Sequence, residues 1–167
     1  MSLKHAVEKQ LAALALPLVG PVVVQASDAR EQAELELAEL DRLGASVARL
    51  VVSSTCLAGV ELERLRALGE QLARQLTYLL EPLRVIECDG ESCAVQMRSS
   101  QPHREGDDRF FYELWLRRGG QMELVRWHTV PGAVKEQVPM QLTREILLRL
   151  VDDLQQAAWD LREAEKI

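Results

Sequence analysis

The sequence predicts an α+β fold: a mainly antiparallel sheet packed with three to four helices. Three observations predict it. In residues 109–130, RFFYELWLRRGGQMELVRWHTV, the pair Gly119-Gly120 separates two aromatic-rich runs of strand character. An Asp89-Gly90 step divides a second pair of such runs. Leucines at helical spacing occupy residues 62–79 and 146–161. Together these give a four-stranded meander, with one or two extra strands N-terminal to it, and helices to cover it.

The elements follow in order. Residues 2–15 carry Leu3, Ala6, Val7, Leu11 and Leu14 at helical spacing, until Pro17 and Pro21 break the pattern. Val22–Gln25 is a short β-branched run. Asp28, with Glu31 three residues on, has the form of a helix cap. The stripe Ala33, Leu37, Leu40 and Leu43 then predicts a second helix that stops at Gly44. Residues 46–53, SVARLVVS, read as a strand from their β-branched density, although Val47, Leu50 and Val51 would also suit a prolonged helix. The cluster Ser53-Ser54-Thr55 supplies an N-cap for a third helix, with Leu62, Leu65, Leu68, Leu72, Leu76 and Leu79 on its buried side and Glu81-Pro82 as its stop.

Leu83–Cys88 and Cys93–Arg98 form a hairpin whose register is open. A four-residue loop sets Cys88 opposite Cys93, and a two-residue turn sets Ile86 there instead. Residues 99–108, SSQPHREGDD, are a polar loop. The glycine hairpin follows, and a two-residue Gly119-Gly120 loop pairs Glu113 with Arg126, Trp115 with Leu124 and Phe111 with His128. That register gathers Phe110, Tyr112, Leu114, Leu116, Val125 and Trp127 on a core face. A mixed face of Phe111, Trp115, Arg117, Met122, Leu124, Arg126 and His128 remains, which either packs under a helix as a second layer or binds a partner. After Pro131-Gly132 the chain is irregular until Thr143 caps a last helix, buried through Ile146, Leu147, Leu150, Val151, Leu154, Ala158 and Leu161. The expectation is a single domain over 1–167, with a mainly helical half (1–81), a meander (82–142) and a C-terminal helix (143–163).

Composition narrows the function. The net charge is −6, from 20 basic and 26 acidic side chains. No segment is basic, so the counterion-release affinity for nucleic acid has no footprint. No apolar run is long enough to span a bilayer, and the polar start MSLKHAVEKQ is not a secretory leader. Three cysteines without a CxxC suit a reducing cytoplasm.

No motif for catalysis, metal or cofactor appears, and no cofactor is expected. Cys88 and Cys93 would approach each other under a four-residue loop, and Cys56 follows a Ser/Thr cap, but each reads first as a small apolar residue. His103, near Glu105, Asp107 and Asp108, lacks recognised ligand spacing. Arginines beside aromatic side chains have the composition of a protein-binding hot spot, and Glu113 and Glu123 offset their charge. The expected function is therefore a small acidic protein-binding, adaptor or chaperone-like protein without catalytic activity, acting on a protein partner or as a homodimer. The alternative is a small enzyme with a site near the 99–108 loop and His128. In size, acidity and α+β character the chain resembles, in class only, the small chaperones of bacterial secretion systems. Its order of elements, with the meander uninterrupted by a helix, departs from theirs, and no residue role carries over.

Overall fold

The structure is a computed structural model that describes residues 1–166. Helix α1 (Leu3–Ala12) precedes strands β1 (Leu18–Ser27), β2 (Glu31–Leu40) and β3 (Gly44–Ser54). After helix α2 (Leu62–Gln75) come β4 (Leu83–Asp89), β5 (Ala94–Ser99), β6 (His103–Glu105), β7 (Asp108–Arg117) and β8 (Gln121–Thr129). Two short strands, β9 (Glu136–Val138) and β10 (Met140–Thr143), lead into helix α3 (Arg144–Glu163). All ten strands belong to one antiparallel sheet with the central order β1-β2-β3-β8-β7-β5-β4, which is larger than the four-stranded meander expected. β10 lies against the start of β3, β9 against the end of β8, and β6 against the start of β7.

The largest departure lies in residues 28–43, expected to be helical and found as β2 with the turns on either side. Ala33, Leu35 and Leu37 are buried and the residues between them point outward, so the period is two rather than 3.6. Asp28 caps no helix. Its Oδ1 accepts hydrogen bonds from the N–H groups of Arg30 and Glu31, turning β1 into β2. Asp41 does the same for Leu43 and Gly44 between β2 and β3, so Gly44 opens a strand instead of closing a helix. The first 81 residues thus contain three long strands, and the strand expected at 46–53 is the middle of β3. The short run Val22–Gln25 lies within β1.

Helix α2 starts later than its expected cap. Ser54 caps the 3-10 turn Thr55–Leu57 through the Cys56 N–H, and the helix proper starts after Glu61. Leu65, Leu68 and Leu72 are buried in α2, while Leu76 and Leu79 are buried in the segment that follows. At Gly69 an added Cβ would lie 3.0 Å from Val85 and 3.4 Å from Val95, so the missing side chain lets α2 sit close on β4 and β5. Helix α3 matches expectation: Thr143 Oγ1 accepts the Ile146 N–H, and Leu147, Leu150, Val151, Leu154, Ala158 and Leu161 are buried. Helix α1 buries Leu3, Ala6, Val7 and Leu11 against β1 and α3.

The three helices lie on one side of the sheet, α1 over β1 and β2, α3 over β3 and β10, and α2 over β4, β5 and β7. One hydrophobic core joins them to the inward faces of the strands. No helix among the described residues covers the other side. No helix among the described residues is long and apolar enough to cross a membrane.

Candidate functional site

The glycine hairpin has a different register from the one expected. Leu116 faces Met122, Leu114 faces Leu124, Tyr112 faces Arg126 and Phe110 faces His128. The loop therefore has three residues. Gly120 N–H donates to the Arg117 carbonyl at 2.9 Å, closing a tight turn, and Gly120 follows it with φ of 96°. This is the three-residue loop with a left-handed glycine, not the two-residue primed turn. The shift of one residue on one strand exchanges faces. Tyr112, Leu114, Leu116, Met122, Leu124 and Arg126 point toward the helices. Phe111, Glu113, Trp115, Arg117, Glu123, Val125 and Trp127 lie on the helix-free side.

The expected binding face is accordingly divided. Met122 and Leu124 are fully buried in the core. Arg126 is also buried, with its guanidinium 3.0 and 3.2 Å from the Glu81 carboxylate and 4.3 Å from the Tyr112 ring centroid. It does not pair with Glu113. His128 lies toward the rim, its Nε2 2.7 Å from Asp108 Oδ1 and its ring stacked 4.7 Å from that of Phe110. Phe111, Trp115 and Arg117 lie on the helix-free face, Phe111 buried there beneath Arg98 and Trp115 and Arg117 half-buried.

Glu113 organises that face, a role beyond the cross-strand pair with Arg126 and the offset of arginine charge that the sequence suggests. Glu113 is 4% exposed although no helix covers it, because its neighbours on β5, β7 and β8 close over it. Oε1 accepts from the indole N–H groups of Trp115 (2.8 Å) and Trp127 (3.2 Å). Oε2 accepts from Gln96 (2.9 Å) and Arg98 (3.3 Å), and the Lys135 ammonium lies 3.9 Å from it. Burial pushes the Glu113 carboxyl up. The bonds from Trp115, Gln96 and Trp127 and the charge of Lys135 outweigh it, and the carboxyl lies below its ordinary value.

The rings held in this way carry cations: Arg98 over Phe111 (4.9 Å), Arg117 over Trp115 (5.3 Å) and Lys135 over Trp127 (4.1 Å). Arg117 also pairs with Glu123, which Arg49 of β3 binds from the other side. The result is a row of three aromatic side chains and their cations spanning β5, β7 and β8. Trp127, Arg98, Gln96 and Lys135 join a site first expected around Phe111, Trp115 and Arg117. A partial sequence signal for this grouping existed: the three-residue loop sets Leu114 and Leu116 opposite Leu124 and Met122 on the inner row, where the two-residue loop sets Leu116 opposite Glu123, although Arg126 then joins that row beside Tyr112.

A second polar cluster joins α3 to the β1–β2 turn. Glu31 is buried and accepts from Trp159 Nε1 (2.7 Å), Ser54 Oγ (3.0 Å) and Gln155 Nε2 (3.0 Å), and the same Gln155 donates to Asp28 at 2.7 Å. Cys56 Sγ lies 3.9 Å from both Glu31 and Arg162, at the wall of a cleft of about 480 Å³. The other two cysteines are not opposed. Cys88 pairs with Val95, and Cys93 lies in the four-residue loop between β4 and β5 with φ of 48°. All three are free thiols.

The 99–108 segment contains the short hairpin β6–β7, with Gly106 at its turn. Its His103 lies on one side of Phe110 and His128 on the other, so the structure brings both histidines and Asp108 into one row. Neither histidine lines the larger clefts described. Among the described residues no group of three or more His, Cys, Asp or Glu side chains is placed to hold a metal ion.

No protein-family model, curated protein or solved structure matches the chain. The reading of this site therefore rests on its own geometry.

Proposed function

We propose that the chain is a non-catalytic protein-binding protein, an adaptor or chaperone-like protein, that receives a segment of another protein on the helix-free face of its sheet. The observation that supports this reading is the Glu113 hub. A buried carboxylate fixes two indoles and an arginine before any partner arrives, so less side-chain freedom is lost on docking. Aromatic and arginine side chains fixed in this way are the usual carriers of binding energy at protein interfaces.

Charge indicates the kind of segment. Glu113 and Glu123 balance much of the charge on Arg98, Arg117, Lys135 and Arg49, which disfavours a polyanion. A protein segment with apolar or aromatic side chains for the ring row, and a carboxylate or two for the cations, fits it better.

The test is to isolate a partner from the native cell by affinity purification, purify it, and titrate it into the wild type and into the Trp115→Ala/Trp127→Ala double variant. Wild-type affinity should exceed that of the variant at least tenfold, with the variant's circular dichroism unchanged. Equal affinities would remove this face from consideration.

A further inference from the structure

The sheet ends at two edges, β1 and β4, and they are guarded differently. β4 carries Arg84, Glu87 and Asp89 within seven residues and is irregular between Val85 and Glu87, which are ordinary defences of an open edge. β1, LVGPVVVQAS, is ten residues long and has no ionisable side chain, the only strand of more than four residues in that condition among the described residues. It also shows apolar side chains to solvent, with Val19 78% and Val23 57% exposed. Pro21, which lacks an N–H, and the irregularity between Val19 and Val22 spoil the first half of the strand for pairing. Val22–Ser27 remains regular, hydrogen-bonded on one side to β2 and open on the other.

We propose that this edge joins two copies of the chain, β1 pairing antiparallel with β1 of a second copy through Val22–Ala26 about a two-fold axis normal to the sheet. Charge favours a second copy here. Each chain carries −6, so copies must meet where like charges stay apart, and β1 provides that. The outward carboxylates nearest the edge, Glu34 and Glu36, are on β2. Across a β2-β1-β1-β2 junction the two β2 strands are three strand spacings apart, about 14 Å, beyond the screening length of about 8 Å in physiological salt.

Symmetry then restricts the register. Opposed residues in an antiparallel pair share a face, and the axis keeps the helices of both copies on one side, so paired residue numbers must have an even sum. Centring on Val24 satisfies this. It sets Val22 of one copy opposite Ala26 of the other under the helices, and Val23 opposite Gln25 on the open face, with no charge in any pair. The sheet then continues from one copy into the next, and an isologous contact of this kind closes as a dimer. This surface is separate from the Glu113 row, and the two proposals can fail independently.

Analytical ultracentrifugation tests it on the wild type, Val23→Lys and Leu80→Lys. Leu80 is more exposed than Val23 and lies in the segment between α2 and β4. The wild type should sediment at twice the 18.8 kDa chain mass at micromolar concentration. Val23→Lys should raise the dissociation constant at least tenfold, and Leu80→Lys should leave it unchanged. A second measurement does not depend on the variant folding: hydrogen exchange at those Val22–Ala26 amides of the wild type that point away from β2 should speed up on dilution through the dissociation constant. A monomeric wild type, a dimer indifferent to Val23→Lys, or exchange independent of concentration would overturn the proposal. An extended peptide that binds β1 of a monomeric chain would show a different occupant for the edge.

Discussion

Ionised Glu113 accepts hydrogen bonds from two indoles, a glutamine and an arginine, and protonation removes acceptor capacity from a carboxyl that has no water to turn to. Its acidity in the fold lies below the ordinary value. The linked stability is therefore fully present above the unfolded range, near pH 4.3, and is lost as pH falls through the depressed folded value. Glu113→Gln has no such titration and places an amide NH₂ against donors, so it should cost about 2 to 3 kcal/mol at neutral pH. Urea midpoints of wild type and variant should differ most above about pH 5 and draw together as pH falls below the unfolded range. A gap that stays constant over that range would show that the carboxylate's charge is not what the neighbouring donors hold.

At the scale of elements, the β7–β8 hairpin decides which side chains reach the open face, and Gly120 decides the hairpin. It adopts a positive φ, and a Cβ there would lie 2.4 Å from the Ser54 carbonyl oxygen, at the end of the strand that β8 pairs with. Gly119 has open space around its Cβ position and no such φ. Gly120→Ala should therefore destabilise by about 2 kcal/mol or more in urea unfolding, and Gly119→Ala by a few tenths at most. Equal costs would argue for the two-residue loop. This pair of glycines also shows how far the sequence could be read. Its composition marks the turn without stating whether one glycine or both must be left-handed, and that one-residue uncertainty exchanged Met122 and Leu124 for Glu123 and Trp127 at the site.

β2 departs from the expected helix for a related reason. Its leucines fit a period of two and a helical stripe at once, and its glutamates favour helix. Pairing with β1 and β3 supplies the missing information, and that pairing is non-local. Where the period was unambiguous, as in α3, or the turn chemistry local, as at Asp89-Gly90, sequence and structure agree on the element.

At the scale of the molecule, an antiparallel sheet with all its helices on one side must leave the other face to solvent or to a partner. Here that face holds a buried carboxylate, three aromatic side chains and their cations instead of a simple polar exterior. Its edge carries the uncharged strand β1. Two surfaces result, one for a partner segment and one for a second copy. Three tryptophans divide between the layers: Trp115 and Trp127 on the open face, Trp159 on α3 bonded to Glu31. Their indole N–H resonances therefore report the two sides separately in a nitrogen–proton correlation spectrum. On adding the purified partner, the Trp115 and Trp127 signals should shift or broaden in step with binding while the Trp159 signal stays in place. A partner that moves Trp159 and leaves Trp115 and Trp127 unchanged would contradict the account.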